Sequence, residues 1–262
     1  MPVKTDWRGH LTLERRSIVL GIPLAVWAAV ILSYFFLVPR LVPPLYLPGP
    51  EVVARAACQL GWTLPLAALY TALRAVGGFL VGSILGVAVA LTMFRSQTFR
   101  AALHSPIEAL RPLPPVALTL FIILWFKLHW LGQLILISLG CFMVLVVSAH
   151  EALANLNINL LRAARSLGAT GRSYYSAVLI PAILPDLVAP LRVSLALAFA
   201  VTIAAEFMGV QTGLGYHMQV ARTQLDTGTI VLGLIILTLE AGAIDWSLRR
   251  SIRRFTHWRR LS

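Results

Sequence analysis

Six stretches of about twenty or more residues run almost free of charge through this chain, each long enough to cross a hydrocarbon layer roughly 30 Å thick. They fall at residues 18–38, 64–93, 106–126, 131–149, 185–208 and 228–248. In lipid, every backbone N–H and C=O group must be satisfied within the segment, so runs of this kind form helices. Composition agrees: 58% of the 262 residues are hydrophobic and only 12% are charged, against about 25% charged in a soluble domain. The sequence predicts an all-α integral membrane protein with six transmembrane helices. The second window is long enough to tilt or protrude into water. The third opens in HSPIEALRPLPPVALTLF, whose prolines predict an irregular entry or a short surface helix.

Lys and Arg accumulate on the cytoplasmic side of such proteins. With the N-terminus inside, the inner side holds 16 of the 22 Lys and Arg residues: Lys4, Arg8, Arg15 and Arg16, then Arg95, Arg100 and Arg111 at the proline-rich entry, then Arg162, Arg165 and Arg172, and six arginines from Arg249 to Arg260. The outer segments hold four: Arg40, Arg55, Lys127 and Arg222, while Arg74 and Arg192 fall within windows. Both termini are therefore expected to be cytoplasmic. The net charge of +12 then belongs to membrane topology rather than to a nucleic-acid surface. The run IVLGIPLAVWAAVILSYFFLV exceeds a signal-peptide core and is expected to be a retained first span. The expected organisation is a segment at 1–17, one six-span domain at 18–248 and a basic tail at 249–262. Cys58 and Cys141 are too few and too far apart to suggest a disulfide framework or a thiolate metal site.

One segment breaks the apolar pattern. RAARSLGATGRSYYSAVLIP, residues 162–181, is basic and rich in small residues, and it lies between long apolar runs. Residues from Leu160 to Tyr175 favour helix, with Gly168 interrupting it. A helix of about ten residues measures roughly 15 Å. Ala163, Ala164 and Gly168 are expected to form a small-residue edge that admits a partner. Pro181 and Pro185 are expected to end this helix and open the next span. A basic loop fits the composition equally well, and the spacing separates the two.

That spacing resembles the cytoplasmic signature of binding-protein-dependent ABC importer permeases: Glu-Ala-Ala, three residues, Gly, nine residues, Ile-x-Leu-Pro. Here Arg162-Ala163-Ala164 precedes Gly168 by three residues, and nine more lead to Val178-Leu179-Ile180-Pro181. Arg162 stands in place of the family's Glu. LYLPGPEVV, LRAVGGFLVGSILGVAVAL, IEALRPLPPVALTLFIILWF and AAEFMGVQTGLGYHM are similar to segments of the taurine, aliphatic-sulfonate and nitrate branch; Lys127-Leu128-His129 and Gly228 depart from it. The resemblance implies a type I ABC importer permease whose coupling segment, about 160–181, seats against a cytoplasmic ATPase subunit. Its contact residues would be Arg162, Ala163, Ala164, Arg165, Leu167, Gly168, Ala169 and Arg172. It further implies a homodimer in the bacterial cytoplasmic membrane, an extracytoplasmic substrate-binding protein, and ATP and Mg held by the ATPase. No cofactor is expected in this chain. The implied solute is taurine, an alkanesulfonate or a similar anion, with nitrate or a thiamine-precursor pyrimidine as alternatives.

The remaining polar residues within windows invite separate readings. Gly78, Gly82 and Gly86 recur every fourth residue and predict close helix packing. Arg74 and Glu206 sit at similar depth, and charges in lipid seek a partner or a water-filled path. They are expected to pair or to line an outer gate. Arg192 is expected to snorkel to the headgroups, and Asp245 with Arg249 to form an i,i+4 pair. QTGLGYHM reads as an outer turn. The histidines are scattered, and the sequence contains neither a nucleophile elbow nor a Walker A motif, so no enzyme activity or metal site is expected. A secondary transporter or channel is the remaining alternative, and the paired broken helices of many such transporters are missing.

Overall fold

The computed structural model describes residues 46–126, 130–208 and 210–255, with scattered positions between 25 and 43. Segment 1–17, most of the first window, Lys127-Leu128-His129 and the tail beyond 255 lie outside the described residues. Among the described residues the regular structure is helical throughout.

Helix α1 (Pro50–Leu60) starts with a proline in its first turn, where the missing N–H has no intrahelical role. Helix α2 (Thr63–Arg95) has 33 residues, roughly 50 Å, and so overhangs a bilayer core by about 20 Å. Ser96 ends it and caps α3 (Gln97–Leu110), its hydroxyl accepting from Phe99 N at 3.3 Å. A 3₁₀ turn (Pro115–Leu118) leads into α4 (Thr119–Phe126).

The third sequence window is therefore not one straight span. Residues 106–110 close α3, and the chain turns by 87° before the apolar helix begins. Pro112, Pro114 and Pro115 supply no N–H to continue the helix, and Pro114 is extended, which forces the break.

Helices α5 (Trp130–Ala154) and α6 (Ile158–Ser166) follow. Gly171–Ser173, Tyr174–Leu179 and Ile180–Ile183 then continue one another as α, π and α turns, together labelled α7. Pro181 does not end this helix as the sequence suggested. The widened π turn precedes it and accommodates the hydrogen bond that proline cannot donate. Turn residues around Pro185 lead into α8 (Val188–Phe207), then α9 (Leu214–Thr223) and α10 (Thr227–Phe255). Helices α2, α5, α8 and α10 are long and apolar enough to cross a membrane, and the bent α3/α4 pair makes a possible fifth crossing.

The α2/α5 contact organises the bundle. A Cβ added at Gly78 would overlap Ile137, one at Gly82 would meet the Ser138 carbonyl and Cys141, and one at Gly86 would lie 2.9 Å from Leu145. The glycine stripe thus lets the two backbones approach more closely than any side chain permits. Phe79, Ile137, Leu195 and Phe199 fill the middle of the bundle. Met93, Leu145, Leu153, Leu179 and Ile183 fill the end where Arg95 and Arg165 gather, here called the basic end. Leu69, Leu73, Leu80, Ile84, Leu124 and Trp125 point outward and are exposed, as a lipid-facing surface requires.

Candidate coupling and gating sites

At the basic end, Asn157 starts α6, its side-chain oxygen accepting from Asn159 N at 2.9 Å. Leu161 and Tyr174 are buried and join the core cluster at that end, so the elbow between α5 and α8 is rooted in the bundle. Its tip is held by a Schellman motif: Gly168 N donates to Arg165 O, and Ala169 N donates to Ala164 O, both at 3.0 Å. Gly168 has φ +81°, a backbone region that costs an L-residue roughly 1–2 kcal/mol.

This corrects the expected small-residue edge. Ala163 and Gly168 are exposed, whereas Ala164 and Ala169 turn inward against the core. Gly168 has nothing within 4 Å of where its Cβ would stand, so its role is the turn rather than close approach. The outward face carries Arg162, Arg165, Arg172 and Leu167, the last of them 88% exposed. An apolar knob ringed by cations is suited to docking on a protein surface.

At the opposite end, Arg74 on α2 and Glu206 on α8 meet, Nη1 to Oε1, at 2.7 Å. The Glu206 side chain is fully buried and that of Arg74 is 16% exposed. The Thr71 hydroxyl lies 3.0 Å from both carboxylate oxygens and accepts from Leu214 N at 2.9 Å. Gly215 N donates to Oε2 at 2.8 Å. Arg74 also donates from Nη1 to the Thr212 carbonyl at 2.8 Å and from Nη2 to the Thr212 hydroxyl.

The carboxylate thus sits at the N-terminus of α9, where backbone N–H groups and the helix dipole favour an anion. QTGLGYHM is more than a turn: it opens a ten-residue helix locked onto α2 and α8. Gly213, at φ +110°, leaves the space that the Glu206 carboxylate fills.

Residues 78–257 match the family described as the binding-protein-dependent transport system inner membrane component. The chain belongs to this family. The permease is 28% identical to the taurine transport system permease protein TauC of Escherichia coli K12, over 97% of this chain and 94% of that one. It is 30% identical to the putative aliphatic sulfonates transport permease protein SsuC of Bacillus subtilis 168, over 71% of this chain and 67% of that one. The fold matches the MetNI methionine ABC transporter in its inward-facing form, with a TM-score of 0.63 at 17% identity, over 76% of this chain and 98% of that one.

Two further findings concern the last helix of the permease. Arg192 does not snorkel freely: its Nε lies 2.8 Å from Asp245 Oδ1, while Arg249 Nη2 lies 3.0 Å from Oδ2. One carboxylate therefore joins α8 to α10 as well as forming the expected i,i+4 contact. Glu240 escaped the sequence reading. It is half-buried, and its Oε2 has no hydrogen-bond partner among the described residues. Counting acids inside the apolar windows would have flagged it. Among the described residues, no three His, Cys, Asp or Glu side chains converge as metal ligands.

Proposed function

We propose that the permease is the membrane subunit of an ATP-driven importer for taurine or a related alkanesulfonate. The observation that carries this reading is the elbow at 158–169: capped at Gly168, rooted at Leu161 and exposing Leu167 among arginines. A rigid knob joined to two spanning helices can receive a push from a soluble partner and pass it to the bundle. In this reading two ATPase subunits hold ATP and Mg on the cytoplasmic side, and Arg162, Ala163, Arg165, Leu167, Gly168 and Arg172 face them. Ala164 and Ala169 support that surface from within. The permease works as a homodimer of six-span chains in the bacterial cytoplasmic membrane, with both termini inside. An extracytoplasmic binding protein delivers the solute.

The Arg74–Glu206 cluster is then an outer latch holding α9 on α2 and α8, so outward opening requires α9 to shift against it. The similarity to the taurine and aliphatic-sulfonate permeases supports the choice of solute.

The test starts with mild extraction of the tagged permease from its own host. A stoichiometric ATPase is expected to co-purify, and to be lost when Leu167 and Arg165 are both changed to Asp. Reconstituted with its binding protein, the complex is expected to show ATPase activity stimulated by taurine more than by nitrate. Purification of the permease alone under gentle extraction would refute the coupling role, and stimulation by nitrate alone would refute the solute.

A further inference from the structure

Glu240 is the fourteenth of the 29 residues of α10, so it stands about 20 Å from either end of that helix. A carboxyl is costliest at this depth, and it is retained in a span only where it faces a partner or a water-filled path. The helix does not turn it to the lipid. Leu234, Ile235, Leu239 and Trp246 form the exposed side of α10. Leu237, Ala241 and Ile244 pack on the core cluster in the middle of the bundle. Glu240 lies three residues from Leu237 and four from Ile244, on their side of the helix.

The carboxyl straddles the edge of that packed face. Oε2 is enclosed without a hydrogen-bond partner among the described residues, but the residue as a whole is only half-buried, so Oε1 is its open side. No Lys or Arg forms an ion pair with it among the described residues. Glu206 is near enough to act on it electrostatically, and that acid already has Arg74. Glu240 therefore offers an acceptor for which the described chain supplies no cation.

The group that fits such a site is a small cation with N–H donors, because an ammonium both neutralises the acid and bonds to its free oxygen. Taurine carries an ammonium two carbons from its sulfonate, whereas a plain alkanesulfonate or nitrate has none. Resting on the reading of this chain as an importer of such solutes, we propose that Glu240 is a specificity-determining residue. Its Oε1 accepts a hydrogen bond from the cationic nitrogen of the solute at mid-membrane. Amino-sulfonates are thereby favoured over sulfonates of the same shape that lack the amine. The contact is a transient ion pair, with no covalent step.

The test uses the permease with its ATPase and binding protein in liposomes, and measures ATPase stimulation and uptake. Taurine is compared with isethionate, in which a hydroxyl replaces the ammonium. Glu240→Gln should lower kcat/KM for taurine roughly tenfold to a hundredfold, and leave any response to isethionate within about twofold of its wild-type value. Glu240→Asp, which keeps the charge, should stay within several-fold of wild type for taurine. Thermal unfolding of all three proteins separates loss of the contact from loss of the fold, and Tm is expected to be unchanged. An undiminished taurine response in Glu240→Gln, an isethionate response that falls in step with it, or an Asp variant as impaired as Gln overturns the proposal and leaves the importer reading intact. A wild-type complex that answers to neither sulfonate refutes the importer reading, and this inference with it.

Discussion

Replacing Glu206 by Gln preserves shape while removing the charge that faces Arg74. The carboxylate is fully buried and receives Arg74 at 2.7 Å, Gly215 N at 2.8 Å and Thr71 at 3.0 Å. All three groups are donors, and the new amide nitrogen would confront at least one of them. Removing one member of a buried pair costs about 3–5 kcal/mol, because the other charge stays desolvated. Arg74→Met should lose a similar amount, leaving Glu206 with Thr71 and Gly215 N. The double variant leaves neither charge stranded, so its loss should fall short of the sum by about 2–3 kcal/mol. At roughly 2–4 °C per kcal/mol, each single change should lower Tm by about 6–20 °C. Thermal unfolding of the full chain in one detergent, followed by circular dichroism, measures all four corners of the cycle. Losses additive to within about 0.5 kcal/mol would refute the coupling between the two side chains.

Gly168→Val should cost about 1–2 kcal/mol in the elbow cap, while Gly168→Asn, which accepts the same backbone region, should cost less. Binding-protein-dependent uptake should therefore fall with Val and largely persist with Asn; equal uptake would remove the cap from the mechanism. Gly82→Val drives a branched side chain into the Ser138 carbonyl and Cys141 and should destabilise by about 1–3 kcal/mol or more. Gly77→Ala, whose Cβ would stand 3.4 Å from Leu134, should be tolerated, and a Tm comparison of the two separates close packing from general glycine flexibility. Asp245→Asn frees Arg192 and Arg249, but those groups are 40–45% exposed, so the stability loss should stay below about 1 kcal/mol. A fall in Tm of more than a few degrees would show that the α8–α10 bridge bears more than its surface position implies.

The apolar windows predicted α2, α5, α8 and α10 well because span length is set by bilayer thickness, a property that needs no knowledge of neighbours. The third window failed where three prolines within four residues, Pro112, Pro114 and Pro115, outweighed hydrophobicity. Depth alone suggested that Arg74 and Glu206 meet, since both lie near the same end of their spans. The partner of Arg192 could not be read in this way. Asp245 is 53 residues away, and only the packing of α8 against α10 brings it near. The elbow was legible as a spacing, but the inward turn of Ala164 follows from the helix face that buried Leu161 shares with it, and which face is buried is settled by the bundle, not by the spacing.

The glycine stripe gives α2 the mechanics of a lever. Gly82 lies against α5 with no side chain between the backbones, and a stiff helix extends from that contact in both directions. Arg74 stands eight residues to one side, about 12 Å, and Arg95 thirteen residues to the other, about 20 Å. If the close contact acts as a fulcrum, a sideways displacement of about 5 Å at the Arg95 end becomes roughly 3 Å at Arg74, in the opposite sense. That exceeds the tolerance of a 2.7 Å ion pair. The asymmetry of the arms means that a large, low-force stroke at one membrane face arrives at the other as a shorter and stronger one, suited to breaking a buried contact.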